Sequence, residues 1–347
     1  MNVPLWVWLT TVAAFLVMLA VDLLVIGRRP HEPGLRESAT WVLCYVTLAV
    51  AFGIGILLAY GGRYAGEFFA GWVTEYSLSV DNLFIFVIIM ARFAVPRAYQ
   101  QTVLFVGIVL ALVLRGVFIA LGAAAIARFS WVFYVFGAFL VYTAVQLLRH
   151  RGDDAGYEEN ALLRAARRRL PVTDRYHGRR LTSVVEGRRM VTPMLVVMLA
   201  IGTTDLLFAL DSIPAIFGLT KEPYLVFTAN VFALMGLRQL YFLIGGLLNR
   251  LVYLSVGLSV VLGFIGVKLL LEALHTNAVP FLNGGRPVEW APAVPISVSL
   301  AFIGLTLLVT TLASLAQSRR DARTPPPAAP VGGGEHPTDP SPGSRAA

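Results

Sequence analysis

Charge is scarce in this chain. Only 14% of its 347 residues are Asp, Glu, Lys or Arg, against 57% hydrophobic, and the mean hydropathy is +0.73. Soluble domains carry about 25% charged residues, so composition excludes an ordinary soluble enzyme. Cysteine is nearly missing as well. Cys44 stands alone, which excludes an intramolecular disulfide and Cys-rich zinc or iron–sulfur centres. None of His31, His150, His177, His275 and His336 falls deep in an apolar stretch, which argues against a zinc or nickel site. There is no G-x-x-x-x-G-K-[ST] phosphate loop and no H-E-x-x-H helix. A nucleotide-driven pump and an intramembrane metalloprotease therefore drop out, and no enzymatic activity or permanently bound cofactor is expected. The net charge of +8 does not point to nucleic acid, because the basic residues cluster in loops between long apolar runs, a signal of membrane topology.

A membrane helix needs about 20 mostly apolar residues to cross about 30 Å of hydrocarbon. Nine stretches qualify: 5–26, 39–60, 68–90, 102–126, 130–148, 191–217, 224–248, 251–274 and 293–316. The first has no preceding basic residue, a long apolar run and Asp22 near its end, unlike a cleaved leader. Lys and Arg number 21 in the loops after odd spans and the tail after span 9, against 4 in the loops after even spans. That asymmetry predicts odd loops in the cytoplasm, the N-terminus outside and the C-terminus inside. The expected class is thus an all-α, multi-pass integral membrane protein, with a transmembrane domain over 1–317. The loop 149–190 carries 11 arginines; it reads as a topology determinant, or as a docking surface for anionic lipid or a cytoplasmic partner. Residues 161–170 have the pattern of a short surface helix. The segment 318–347, rich in Pro, Gly and Ser, is expected to be a disordered cytoplasmic tail.

Two parts of the chain resemble each other. Thr74-Glu75-Tyr-Ser-Leu-Ser-Val-Asp81-Asn82 matches Thr204-Asp205-Leu-Leu-Phe-Ala-Leu-Asp211-Ser212, and Gly107 to Arg115 has the spacing of Asn230 to Arg238. Phe118 then falls opposite Tyr241, Gly122 opposite Gly245 and, with one residue of offset, Gln146 opposite Lys268. Spans 3–5 (about 68–148) therefore repeat as spans 6–8 (about 191–274). Three spans separate equivalents, so the repeats cross in opposite senses, the plan of secondary transporters with sites at the midplane.

The repeated residues are the expensive ones. An ionised Asp at the bilayer centre costs about 2.5–3.5 kcal/mol on insertion scales, so Glu75, Asp81, Asp205 and Asp211 need protons, pairing with Arg115, Arg238 and Lys268, or a cation. With Asp22 the formal balance is −5 against +3, which a divalent cation would neutralise. The available oxygens, including Asn82, Ser212, Ser77, Ser79, Thr74, Thr204 and Asn230, suit Mg²⁺, Ca²⁺ or Mn²⁺. Residues i and i+6 point about 120° apart on a helix. Either the helix unwinds locally, near Gly71 or Pro214, or one acid of each pair faces a cation and the other an arginine. Asp81 and Asp211, flanked by Asn82 and Ser212, are the expected ligands, with Glu75 and Asp205 as ligands or proton carriers. Arg115 and Arg238 are expected to orient carboxylates or gate. Lys268 is expected to pair or titrate, and Asp22 either to contribute to a cytoplasmic vestibule or to sit at the interface near Arg28 and Arg29. Met190, Met194 and Met198 form a helical stripe read as packing.

The segments FFAGWVTEYSLSVDNLFIFVIIM, GTTDLLFALDSIPAIFGLT and FTANVFALMGLRQLYFLIGGL resemble the TerC/Alx family of bacterial membrane proteins over about residues 5–316. That resemblance implies a role in metal homeostasis, with manganese efflux and tellurite resistance as family associations. It also implies that Glu75, Asp81, Asn82, Asp205, Asp211 and Ser212 handle the metal. Tellurite is an oxyanion that an acid-lined site repels, so any resistance is expected to be indirect. The expected function is a secondary transporter exporting Mn²⁺ or a similar divalent ion. The alternative is a non-transporting membrane hub that docks stress-response partners through the basic loop.

Overall fold

The structure, a computed structural model, describes residues 1–321 except Asn2, 29–33, 130, 150–163, 165–170, 174, 175, 177, 179, 186, 187, 245–252, 278–285 and 289. In chain order its helices are α1 (Leu5–Arg28), α2 (Leu35–Tyr60), α3 (Gly62–Arg92), α4 (Arg97–Arg128), α5 (Val132–Arg149), α6 (Pro193–Phe217), α7 (Pro223–Met235), α8 (Leu237–Ile244), α9 (Leu254–His275) and α10 (Ile296–Asp321). A two-stranded antiparallel hairpin, β1 (Thr182–Val185) and β2 (Arg188–Val191), precedes α6. Among the described residues, nine helical segments are long and apolar enough to span a membrane, α7 and α8 together forming one of them. Proline marks several starts. It occupies the first position of α6 and α7, where its missing N–H has no intrahelical partner to lose. Between α2 and α3 the chain turns on Gly61 at φ +93°, a conformation that glycine adopts without a Cβ clash.

The α7–α8 segment is the centre of the bundle, 89% buried in the protein, whereas α1 and α10 are only 11% buried and present apolar side chains outward as lipid-facing helices do. One core joins Leu83, Phe86 and Met90 of α3 with Leu104 of α4, Met194 and Ile201 of α6 and Leu234 of α7. A second unites Phe133 and Leu140 of α5 with Leu258, Leu262 and Ile265 of α9. These two helices approach so closely that a Cβ on Gly137 would meet the Gly266 carbonyl oxygen at 2.9 Å, and one on Gly266 would meet that of Gly137 at 2.9 Å. Small residues permit such backbone contact where no hydrophobic effect drives helices together.

The helices depart from the expected spans in five places. The acid-bearing α3 runs unbroken from Gly62 to Arg92, so of the two arrangements open to the acid pairs, local unwinding near Gly71 is not the one found. Pro214 is accommodated inside α6, three residues before its end at Phe217, where few later hydrogen bonds remain for it to disrupt. The interruption falls instead at Gly236, between α7 and α8. Met190 lies in β2 rather than on a helix, which shortens the methionine stripe to Met194 and Met198, both buried in the first core. Finally, α10 continues to Asp321, past the expected end of span 9 at 316. Of the expected surface helix 161–170 only Arg164 is described, and the rest of that segment, most of the basic loop and the tail from 322 lie outside the described residues.

Candidate functional site

Helix periodicity decides which acids meet. Asp205 and Ser212 are seven residues apart on α6, and seven residues return a side chain to within about 20°. Both reach Arg115, which projects from α4. The Arg115 guanidinium grips Asp205 with two bonds, Nε to Oδ2 at 3.1 Å and Nη2 to Oδ1 at 3.2 Å. Its Nη1 donates to Ser212 Oγ at 3.3 Å and to Asn230 Oδ1 of α7 at 2.9 Å. The same Nη1 contacts Glu75 Oε1 of α3, which also accepts from Ser79 Oγ at 3.4 Å. One guanidinium thus ties four helices together. It is 1% exposed, Glu75 0% and Asp205 1%, so the whole array is desolvated. Glu75 Oε2 and Thr74 Oγ1 are buried there without a hydrogen-bond partner among the described residues. Glu75 sits 13 residues into the 31-residue α3, about 20 Å along it at 1.5 Å per residue, near the middle of that helix.

The second acid of each pair points elsewhere. Asp81 Oδ1 accepts Ser255 Oγ of α9 at 3.1 Å. Asp211 lies within electrostatic range of both Arg115 and Asp81. Asn82 is buried beside Asp81 on α3. No three His, Cys, Asp or Glu residues among those described come together as a metal-holding group. Of the expected ligands, Glu75, Asp205 and Ser212 surround the Arg115 guanidinium, whereas Asp81 turns to Ser255.

Arg238, which the sequence match sets opposite Arg115, has a different partner: its Nη2 donates to Asp22 Oδ1 at 2.5 Å. Asp22 thus pairs α1 with the segment that carries Arg238, beside Met18, Tyr45 and Met235. Lys268 lies apart from the acid array. It faces a cavity of about 370 Å³ at the end of the bundle where α3 and α10 begin and α6 ends, in the company of Glu67, Thr220, Lys221 and Glu272. Glu67 and Ser255 were not anticipated. Glu67 stands one residue before the expected start of span 3, and an isolated serine in an apolar run carries no signal until its neighbour is known.

Fold and site together define a polytopic helical membrane protein with a carboxylate-rich, guanidinium-centred charge array in its interior. The model of the integral membrane protein TerC family matches residues 60–322, and the chain belongs to that family. It is 48% identical over 323 residues to an uncharacterized membrane protein of Mycobacterium tuberculosis, covering 91% of this chain and 81% of the relative. It is 40% identical over 318 residues to an uncharacterized membrane protein of Myxococcus xanthus, covering 92% and 96%. It is 36% identical over 315 residues to the Escherichia coli protein named "Putative membrane-bound redox modulator Alx", covering 88% and 92%. No solved structure matches the chain.

Proposed function

We propose that this protein is a secondary transporter of the bacterial inner membrane that exports a divalent cation, Mn²⁺ by the family resemblance, through the Glu75, Asp81, Asp205 and Asp211 region. One observation carries the reading: four carboxylates share the α3–α6 interior with a single guanidinium, Arg115, a formal surplus of three negative charges. Charge of that kind inside a membrane marks ion pathways. Asp81 and Asp211 lack a guanidinium hydrogen bond among the described contacts and supply hard oxygens suited to Mg²⁺, Ca²⁺ or Mn²⁺. In the arrangement described, Arg115 occupies the place between the acids as a tethered cation. Loading of the substrate ion then requires the acids to exchange guanidinium for metal, which couples ion entry to relative movement of α3, α4 and α6.

The inverted repeat and the N-out, C-in orientation belong to this proposal, as does a carrier rather than an enzymatic role, with no resident cofactor. Lipid head groups or a cytoplasmic partner at the basic loop remain part of it too. If the redox label of the Escherichia coli relative extends to this chain, it does not act through an intramolecular dithiol, since Cys44 is the sole cysteine.

The test is Mn²⁺ flux in everted membrane vesicles, wild type against Asp81→Asn with Asp211→Asn. Flux in the wild type that disappears in a normally expressed double variant supports the site. Equal flux in both moves the site elsewhere. An inert wild type refutes transport.

A further inference from the structure

The cavity of about 370 Å³ at the α3, α10 and α6 ends is within the size range of small-molecule sites, and its charges are unevenly satisfied. Glu67 is occupied twice: Oε1 accepts Arg63 Nε at 2.9 Å and Oε2 accepts Thr220 Oγ1 at 2.6 Å. Glu272 Oε1 accepts Lys221 Nζ at 2.7 Å. Glu222 Oε1 accepts the Met1 amine at 2.6 Å. Each carboxylate on the wall therefore has its counter-charge. Lys268 interacts with Glu67 and Glu272 only electrostatically and donates no hydrogen bond among the described residues. Its ammonium, half-buried on the cavity wall, has three donors to offer.

The backbone reinforces the same sign. α10 begins at Ile296 on the wall, presenting the positive end of a 26-residue helix dipole. The opposing negative end of α6 is muted, because the Pro214 and Ile216 carbonyls are capped by the amides of Gly218, Leu219 and Thr220.

We propose that this cavity binds a small anion, a carboxylate or an inorganic oxyanion, with the Lys268 ammonium as its principal contact. The site is distinct from the acid array, and its occupancy is read without any transport assay. The experiment is calorimetric titration of the full-length protein in detergent with inorganic phosphate and, separately, with acetate. Wild type binds one or both saturably at one per chain. Phosphate alone identifies an oxyanion site and acetate alone a carboxylate site. Lys268→Gln weakens binding by about tenfold or more, the worth of one charge-assisted hydrogen bond, whereas Lys268→Arg retains it. Glu272→Gln releases Lys221 and tightens binding about threefold or more. Saturable binding of neither anion to wild type overturns the proposal, as does undiminished binding to Lys268→Gln. If Lys268→Gln does not fold, a Glu272→Gln variant that binds no tighter than wild type overturns it.

Discussion

Replacing Arg115 with methionine leaves the α4 stem in place and removes the charge that holds Glu75 and Asp205. The structure fixes what is lost. Asp205 forfeits its two-point grip at 3.1 and 3.2 Å, and Ser212 and Asn230 each lose a donor. Glu75 keeps only Ser79 at 3.4 Å, with Oε2 already partnerless. Two accounts of that loss differ in size. Hydrogen bonds inside helical membrane proteins average about 0.6 kcal/mol each, so the four to Asp205, Ser212 and Asn230 sum to about 2.4 kcal/mol. Stranding a buried carboxylate by deleting its partner costs about 3–5 kcal/mol, and here two are stranded. The charge term wins, and Arg115→Met is expected to lose at least about 3 kcal/mol.

A second variant separates the accounts. Adding Glu75→Gln and Asp205→Asn to Arg115→Met removes the stranded charge without restoring a bond. If charge dominates, the triple variant regains more than half of the lost stability; if bonds dominate, it regains none. The assay is equilibrium unfolding in mixed detergent–SDS micelles, followed by far-ultraviolet circular dichroism and extrapolated linearly to zero denaturant. A triple variant no more stable than Arg115→Met refutes the argument that the array is held by charge compensation.

Elsewhere, smaller and opposite effects are expected. Gly266→Ala drives a methyl to 2.9 Å from the Gly137 carbonyl and the Val141 backbone nitrogen and should cost about 1–3 kcal/mol in the same assay. Gly263→Ala meets only Ala144 at 3.6 Å and should instead gain about 0.5–1 kcal/mol of helix stability. A double-mutant cycle on Asp22→Asn and Arg238→Gln, whose side chains are 12% and 8% exposed, should return a coupling of about 0.5–3 kcal/mol. The exposed Lys221–Glu272 pair should return less than about 1 kcal/mol. Burial holds the Tyr176 hydroxyl above its usual value while it donates to the Phe93 carbonyl at 2.7 Å. Its contribution is therefore intact below pH about 10 and falls as pH rises beyond, because the unfolded chain loses the proton first. Tyr176→Phe should flatten that alkaline loss in a pH series of melting curves.

How much of this was legible in advance follows from the physics of each signal. Span number is set by length and apolarity, and the nine among the described residues are readable from runs such as 102–126. Span ends were not. The bilayer rewards apolar residues, but helices continue on backbone hydrogen bonds, so α3 begins at Gly62 and α10 reaches Asp321. The hairpin 182–191 was missed because four-residue strands flanked by arginines show little alternation. Glu75, Asp205 and Arg115 stood out by cost alone. Which acid meets the guanidinium was also encoded, in the seven-residue spacing of Asp205 and Ser212, a period that brings two side chains onto one helix face. The partner of Asp81 was not encoded, since Ser255 is 174 residues away and chemically silent in sequence.

The contrast between the two arginines bears on how the array works. The sequence match sets Arg115 opposite Arg238, yet one holds two buried acids and the other holds Asp22 of α1. The break at Gly236 lies two residues before Arg238 and interrupts that span between α7 and α8, whereas α4 passes through Arg115 as one continuous helix. The two sites thus differ in the continuity of the helix that carries the guanidinium as well as in partners. If the acids exchange Arg115 for a cation through relative movement of α3, α4 and α6, the turn at Gly236 gives the Arg238–Asp22 contact a place to adjust alongside. Gly236→Ala, which has open room with its nearest neighbour at 3.8 Å, tests this without disturbing packing. It should lower Mn²⁺ flux while leaving stability unchanged or raised, and unaltered flux would remove the break from the mechanism.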